Sequence, residues 1–357
     1  MPIGSDLFNL AVTFGFLLFI LIISYIIYSL YRSNKLRHEL KRVKSLSIFQ
    51  ISIPRQITAK QNEPPKDFKE TIGVAEQFFS SLGNLYETGL EKKIYGLQNQ
   101  VTLEIISLDG KLEFFCIVPK DIESIIEKQI NSFWPTAQIK KSPAPNIFKF
   151  KQGAMVASNF KLNKKFILPI KTYKYLESDP LNALTNALSK LGPDAGAAIQ
   201  IIVKPISDDW RRVAGISAHK IQKGKSFVTE KWYMKIFGFV FEILSGIFHG
   251  SKSDDTNQTV SPNFKQPVQL TPMQEQLLKF LNEKASKTGL ATNIRVVATS
   301  KTHEEAVLNI KNISTAFGQF ATPELNGFKT KVEGSEVVRD YILRRFTGKG
   351  MILNSDT

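Results

Sequence analysis

From Leu7 to Tyr31 the chain reads LFNLAVTFGFLLFILIISYIIYSLY, without one charged residue. As a helix this run rises about 37 Å, enough to cross a hydrocarbon core of about 30 Å with some tilt. Residues 1–31 are therefore expected to form a transmembrane anchor. A cleaved secretory signal fits poorly. No Lys or Arg precedes the apolar run, the run is too long, and no A-x-A-like site follows it. The flanks set the orientation. Only Asp6 lies before the run, whereas Arg32, Lys35, Arg37, Lys41, Arg42 and Lys44 follow it. The positive-inside bias places residues 32–357 in the cytoplasm and the N-terminus outside, with one pass. The same six cations are candidate contacts to an anionic leaflet, each worth about 1 kcal/mol there. A bare topology signal accounts for them equally well.

The formal net charge of +15 on 357 residues calls for an acidic counterpart, whether lipid headgroups, nucleic acid or an acidic protein. The first 60 residues carry eight Lys or Arg against Asp6 and Glu39, and the rest of the excess is spread over the soluble part. That spread lacks the dense stripe of a dedicated nucleic-acid binder. The single cysteine, Cys116, cannot close an internal disulfide and sits in the apolar run LEFFCIVP. It reads as a core thiol in a reducing compartment.

Beyond the anchor, residues 32–67 form a basic juxtamembrane segment, a short strand in SIFQISIP and a polar linker, TAKQNEPPKD. Residues 68–150 are expected as an α+β unit. It opens on an amphipathic helix of about twenty residues from Phe68, with Ile72, Ala75, Phe78, Phe79, Leu82 and Leu85 near helical spacing. A hairpin, VTLEIISL and KLEFFCIVP around Asp109-Gly110, comes next. The helix DIESIIEKQINSFW and a strand from Ala137 complete a piece of a ferredoxin-like unit. Residues 151–249 form a second α/β unit. It has strands near 152–161 and 165–171, a helix opened by Asp179-Pro180, the strand AAIQIIVKP, and a helix capped by Ser207. Asp208 and Asp209 suit that helix's dipole and read as capping groups. The unit ends in the apolar run 233–248, YMKIFGFVFEILSGIF, which is short for a second span and reads foremost as core. A linker, 250–270, leads to a third α/β portion, 271–357, able to pair with the second.

LSKLGPDAGAAIQIIVKPISDDW and ASKTGLATNIRVVATSKTHEE share the order helix, Gly, apolar strand, acidic-capped helix, a partial internal repeat. Thr271 with Gln274, and Thr302 with Glu305, both fit a capping box. The fold class expected is α+β: a transmembrane helix followed by ferredoxin-like α/β units.

HKIQKGKS, at 219–226, ends like a phosphate-binding loop. Such a loop needs Gly ahead of the Gly-Lys pair with four residues between them, and that position is His219. The preceding RRVAGISAHKIQKG reads as a helix ending at Gly224, not as a strand. His38, His219, His249 and His303 have no partner at zinc-ligand spacing. A G-x-S-x-G elbow is also missing. Trp134, Trp210 and Trp232 read as core before base-stacking groups. No catalytic residue, cofactor or metal is expected, and Lys220, Lys223 and Lys225 remain as surface cations.

The anchor with its basic exit resembles the N-terminal region of the bacterial type IV secretion-like ATPases, relatives of conjugation motors. So do VTLEIISLDGKLEFFCIVPKDIESIIEKQI with WPTAQI, LPIKTYKYLESDPLNALTNALSKLGPDAGAAIQIIVKP, QKGKSF and FGQFATPELNGFK. The resemblance runs from residue 7 to 353. It implies a bacterial cytoplasmic-membrane location and a RecA-like motor domain after this region, yet the chain stops at GKGMILNSDT. The motor is then expected in cis on a longer chain or in trans on another. The function expected is a non-catalytic, membrane-anchored assembly module that tethers or orients such a motor. A basic nucleic-acid binder or lipid-surface scaffold is the alternative, with DNA and a second copy of the chain as further partners.

Overall fold

A computed structural model describes residues 3–53, 67–148, 153–192, 194–223, 270–348 and 350–357. Residues 54–66 of the expected linker, the Gly224-Lys225-Ser226 triplet, Trp232, the apolar run 233–248, His249 and the stretch 250–267 lie outside the described residues. The protein is a mixed α/β chain with an N-terminal apolar helix and a large antiparallel sheet. It divides into two compact units, Met1–Phe166 with Ile170–Ser207 and Lys287–Thr357, and Ile167–Pro169 with Asp208–Ser286.

Helix α1 (Ile3–Lys44) is unbroken over 42 residues, about 63 Å. It is long and apolar enough to cross a membrane, and the side chains of its apolar window are not buried. The helix passes straight through the Tyr31 boundary because RSNKLRHELKRVK holds no Gly or Pro to stop it. It ends at Ser45, whose backbone N–H and hydroxyl both donate to Arg42 O.

Among the described residues the first unit carries nine strands: β1 (Leu46–Ser52), β2 (Val101–Leu108), β3 (Lys111–Pro119), β4 (Gln138–Lys141), β5 (Ala154–Leu162), β6 (Gly196–Pro205), β7 (Gly289–Ser300), β8 (Phe328–Glu333) and β9 (Met351–Asn354). They lie in the order β4-β1-β3-β2-β6-β7-β5-β8, with β9 on β7, and every pair is antiparallel. The order has an internal symmetry. Strands β1 to β4 stand as fourth, first, third, second, and β5 to β8 repeat that order reversed, the halves joined through β2 and β6. In each half a helix links first to second strand, α2 (Phe68–Leu82) or α5 (Pro180–Ser189). Another links third to fourth, α4 (Glu123–Phe133) or α8 (His303–Ala316). This recurrence differs from the expected repeat, whose two strands, β6 and β7, lie side by side from Gly196↔Thr299 to Pro205↔Leu290.

Alternation along the strands separates two faces. On one, α2 and α4 bury Phe78, Leu82, Ile126 and Ile130 against Phe49, Val101, Cys116 and Val118. On the same face α5 and α8 bury Leu184, Leu188, Ile310 and Ile313 against Val156, Ile199 and Val296. The opposite face, with Ile106, Phe115, Ala157, Ala198 and Val297, packs against Val337, Val338 and Tyr341 of α9 (Ser335–Ile342) and against Ile147. The outer strands expose lysines along their edges, Lys140 and Lys141 on β4, Lys329 and Lys331 on β8. Such charges discourage a further strand from pairing.

Local signals placed several elements. Asp109 (φ 53°) and Gly110 (φ 73°) form the left-handed pair of a type I′ turn between β2 and β3. Asp179 caps α5 through Leu181 N, with Pro180 in the first turn. Thr302 Oγ1 accepts from Glu305 N at the start of α8. Other expectations are corrected. The helix from Phe68 is 15 residues long and tightens into a 3-10 turn at Gly83–Leu85. Residues 165–171 make no strand. Ile167, Leu168 and Ile170 are buried in irregular chain, and Pro169 has no N–H to give a ladder.

In the second unit α6 (Asp209–Gln222) and α7 (Pro272–Ser286) pack together, burying Trp210, Ala214, Ile221, Leu278 and Leu281. At α7, Thr271 N donates to Gln274 Oε1 (2.9 Å) and Gln274 N to Thr271 Oγ1 (3.3 Å), a complete capping box. Ser207 is not the cap of α6. Asp208 holds that position without a side-chain cap bond, and its carboxylate pairs with Arg211 at 3.1 Å instead.

Candidate functional site

Two polar constellations stand out on the α9 face of the sheet. The first is a row of directly opposed residues, Glu104 on β2, Gln200 on β6, Arg295 on β7 and Asn159 on β5. Gln200 Nε2 donates to Glu104 Oε1 (2.8 Å), Arg295 Nη1 to Gln200 Oε1 (3.0 Å), and Arg295 Nε to Asn159 Oδ1 (3.2 Å). Glu104, Gln200 and Arg295 are fully buried. Charges so placed are tolerated only with partners, and the chain after α9 supplies them. Arg344 reaches Glu104 at 3.0 and 3.2 Å. Arg295 Nη2 donates to Arg345 O (2.6 Å) and Thr347 Oγ1 (3.0 Å), and Gln200 Nε2 to Tyr341 O (3.0 Å). Burial draws the Arg295 guanidinium down to about 10, against the opposing pull of Asp340. The row thus clamps residues 341–347 over the sheet. With each charge engaged by this segment, its role is structural.

The second constellation is a cleft of about 560 Å³ beside the C-terminal end of α1. Lys35, His38, Lys41 and Arg42 line it from α1, Lys92 and Tyr95 from α3 (Leu90–Tyr95), and Lys204 and Phe346 from the sheet side. Glu39 and Asp121 are its acids, and Glu39 is engaged by Arg345 at 2.8 Å. Lys92 pairs with Glu87. Lys204, the last charged residue of β6, donates to Gly96 O (3.1 Å) and lies 4.6 Å from the Phe346 ring centroid. Burial first, then the nearby Arg42 and Lys35, pull its ammonium down to about 7, with Glu39 acting in the opposite sense. A lysine so lowered is first one whose charge is poorly solvated, and the neighbouring cations add to that.

The six expected membrane-surface cations differ in exposure. Arg32, Arg37, Lys41 and Lys44 are exposed, with Leu36 and Leu40 among them. Lys35 and Arg42 are half-buried toward the body, and Arg42 Nη1 donates to Arg344 O at 3.4 Å. Tyr31 joins them, stacking on Tyr95 (5.4 Å between centroids) and donating to Ile94 O (3.3 Å), while His38 stacks on the same ring at 5.7 Å. Sequence reasoning missed Lys92, Tyr95, Lys204 and Phe346. Lys204 had a signal, a lone cation closing an apolar run, whereas α3 is too short to show a period. Of the triplet at 224–226, only its approach is described. Helix α6 runs to Gln222, with Lys223 at the C-cap.

Residues 54–347 match the family described as Domain of unknown function (DUF8128). No curated protein matches the chain.

Proposed function

The chain belongs to this family of unknown function, and we propose that it is a non-catalytic, membrane-anchored module that holds an assembly partner at the cytoplasmic face. The observation that carries the reading is the join between anchor and body. Helix α1 leaves its apolar half without a break and is held to the sheet unit by Tyr31 on Tyr95, Glu39 with Arg345, and Arg42 on Arg344 O. A helix so held transmits orientation, where a flexible linker would give only proximity. The two halves of the sheet are read as ferredoxin-like units, because each has the order β-α-β-β-α-β and the strand sequence fourth, first, third, second. The positive-inside asymmetry supports a body in the cytoplasm with the N-terminus outside, and the resemblance supports a bacterial membrane as the place.

The resemblance to secretion-type motors supplies the partner class, a RecA-like ATPase in cis or in trans. The full chain, purified in detergent, is expected to retain a RecA-like partner as bait and to show no ATP binding of its own. Tight ATP binding by the chain alone overturns the non-catalytic reading. The exposed cations Arg32, Arg37, Lys41 and Lys44 favour a second role as a lipid-surface contact. In a shortened chain lacking residues 1–31, charge reversal at these four positions would lower retention on anionic vesicles. Unaltered partition removes that role.

A further inference from the structure

Tyr31 is the last residue of the uncharged run, so in an anchored chain it marks the level where hydrocarbon gives way to headgroups. Helix α3 is fixed at that level, through the Tyr31–Ile94 hydrogen bond and the Tyr31–Tyr95 stack. Two aliphatic residues one turn apart on α3, Leu90 and Ile94, are 77% and 56% exposed. Large aliphatics left in water cost free energy that a lipid surface would recover. Cations flank them: Lys35 and Lys92 line the cleft, Lys92 in its pair with Glu87, and Arg32 lies on the exposed side of α1. Aliphatic residues at the acyl boundary, aromatic rings beside them and cations at phosphate level form the arrangement that an anionic leaflet accepts.

We propose that α3 is a second, interfacial membrane contact, seating Leu90 and Ile94 at the acyl boundary of an anionic leaflet while Lys35 and Lys92 face lipid phosphates. The anchor then does more than tether. A helix that spans can still tilt, and a second contact beside it fixes how the sheet is inclined to the bilayer. This inference rests on the membrane anchorage proposed above.

The full chain, reconstituted in vesicles of phosphatidylglycerol and phosphatidylcholine, tests it with spin labels at Leu90→Cys, Ile94→Cys and, as reference, Leu308→Cys. Leu308 lies on α8 and is 55% exposed. Cys116 stays unlabelled, since it is fully buried. Labels at 90 and 94 are expected to have an oxygen-to-nickel-chelate accessibility ratio severalfold above that at 308. The excess should shrink in phosphatidylcholine alone and in the Lys35→Glu, Lys92→Glu background. A ratio at 90 and 94 equal to that at 308, with the protein still floating with the vesicles, overturns the inference and leaves the anchor standing. Protein that does not float overturns the anchor itself, and the inference with it. Lipid-like labels in phosphatidylcholine and phosphatidylglycerol alike would contradict the assigned role of Lys35 and Lys92.

Discussion

The two faces of the sheet are built by different means. One is sealed by α2, α4, α5 and α8 with mainly apolar side chains, joined by isolated polar contacts such as Ser107 Oγ to Leu188 O and Asn309 to Ser300. The other has α9 and a segment of irregular chain, hung on four polar residues in a row. Apolar burial is non-directional, so the helix face tolerates small shifts in how its helices lie. A row of Glu, Gln, Arg and Asn accepts one arrangement of donors and acceptors, and so fixes where residues 341–347 run. That precision is needed on this side, because Arg344 O and Arg345 are where α1 docks. The cleft beside α1 inherits its shape from the clamp.

This contrast can be broken at its strongest point first. Arg295→Ala strands the buried acceptors Gln200 Oε1 and Asn159 Oδ1 and should cost about 2–6 kcal/mol in denaturant unfolding of the solubilised chain. It should also release the 341–347 segment, read as faster amide exchange there. A cost under about 1 kcal/mol would show the row to be idle. On the helix face, Leu188→Ala should cost about 2–5 kcal/mol and leave exchange at 341–347 unchanged. If that exchange also rises, the two faces are not independent.

A smaller effect concerns the β2–β3 turn. Gly110→Ala puts a Cβ into a left-handed position and should lower stability by about 1–2 kcal/mol, seen in the same unfolding curves. A last effect is one of pH. Lys204 has a folded value of about 7 and an unfolded one of about 10.4. Between those values the unfolded chain binds the extra proton, so this residue makes stability rise with pH in that window. The penalty is complete below about pH 7. The difference in stability between the parent and Lys204→Met should therefore shrink as pH goes from about 7 to 9, and a constant difference would contradict the burial and charge crowding assigned to Lys204.

Much of the helix face was legible. The 3.6-residue spacing in Ile72, Ala75, Phe78 and Phe79, and the apolar runs of β2, β3 and β6, carry their own periods. The Asp109-Gly110 turn and the Asp179-Pro180 start were visible because a local rule fixes each. The clamp was not legible. Glu104, Gln200, Arg295 and Asn159 each look like a single polar residue in an apolar strand, and only the register brings them into one row. Sequence distance hid the pairing, since Glu104 and Arg344 stand 240 residues apart. The cleft was half legible. Its α1 cations followed from the exit of the apolar run, whereas α3 and Lys204 reach it through tertiary packing. The strand expected at 165–171 failed because burial of Ile167, Leu168 and Ile170 mimics a strand signal without a partner ladder.

The central claim is that α1 fixes this sheet to a bilayer as a true span. Alkaline carbonate extraction of membranes holding the full chain, beside the chain lacking residues 1–31, tests it most directly. The full chain should remain in the pellet and the shortened chain should move to the supernatant. Release of the full chain by carbonate would contradict the account.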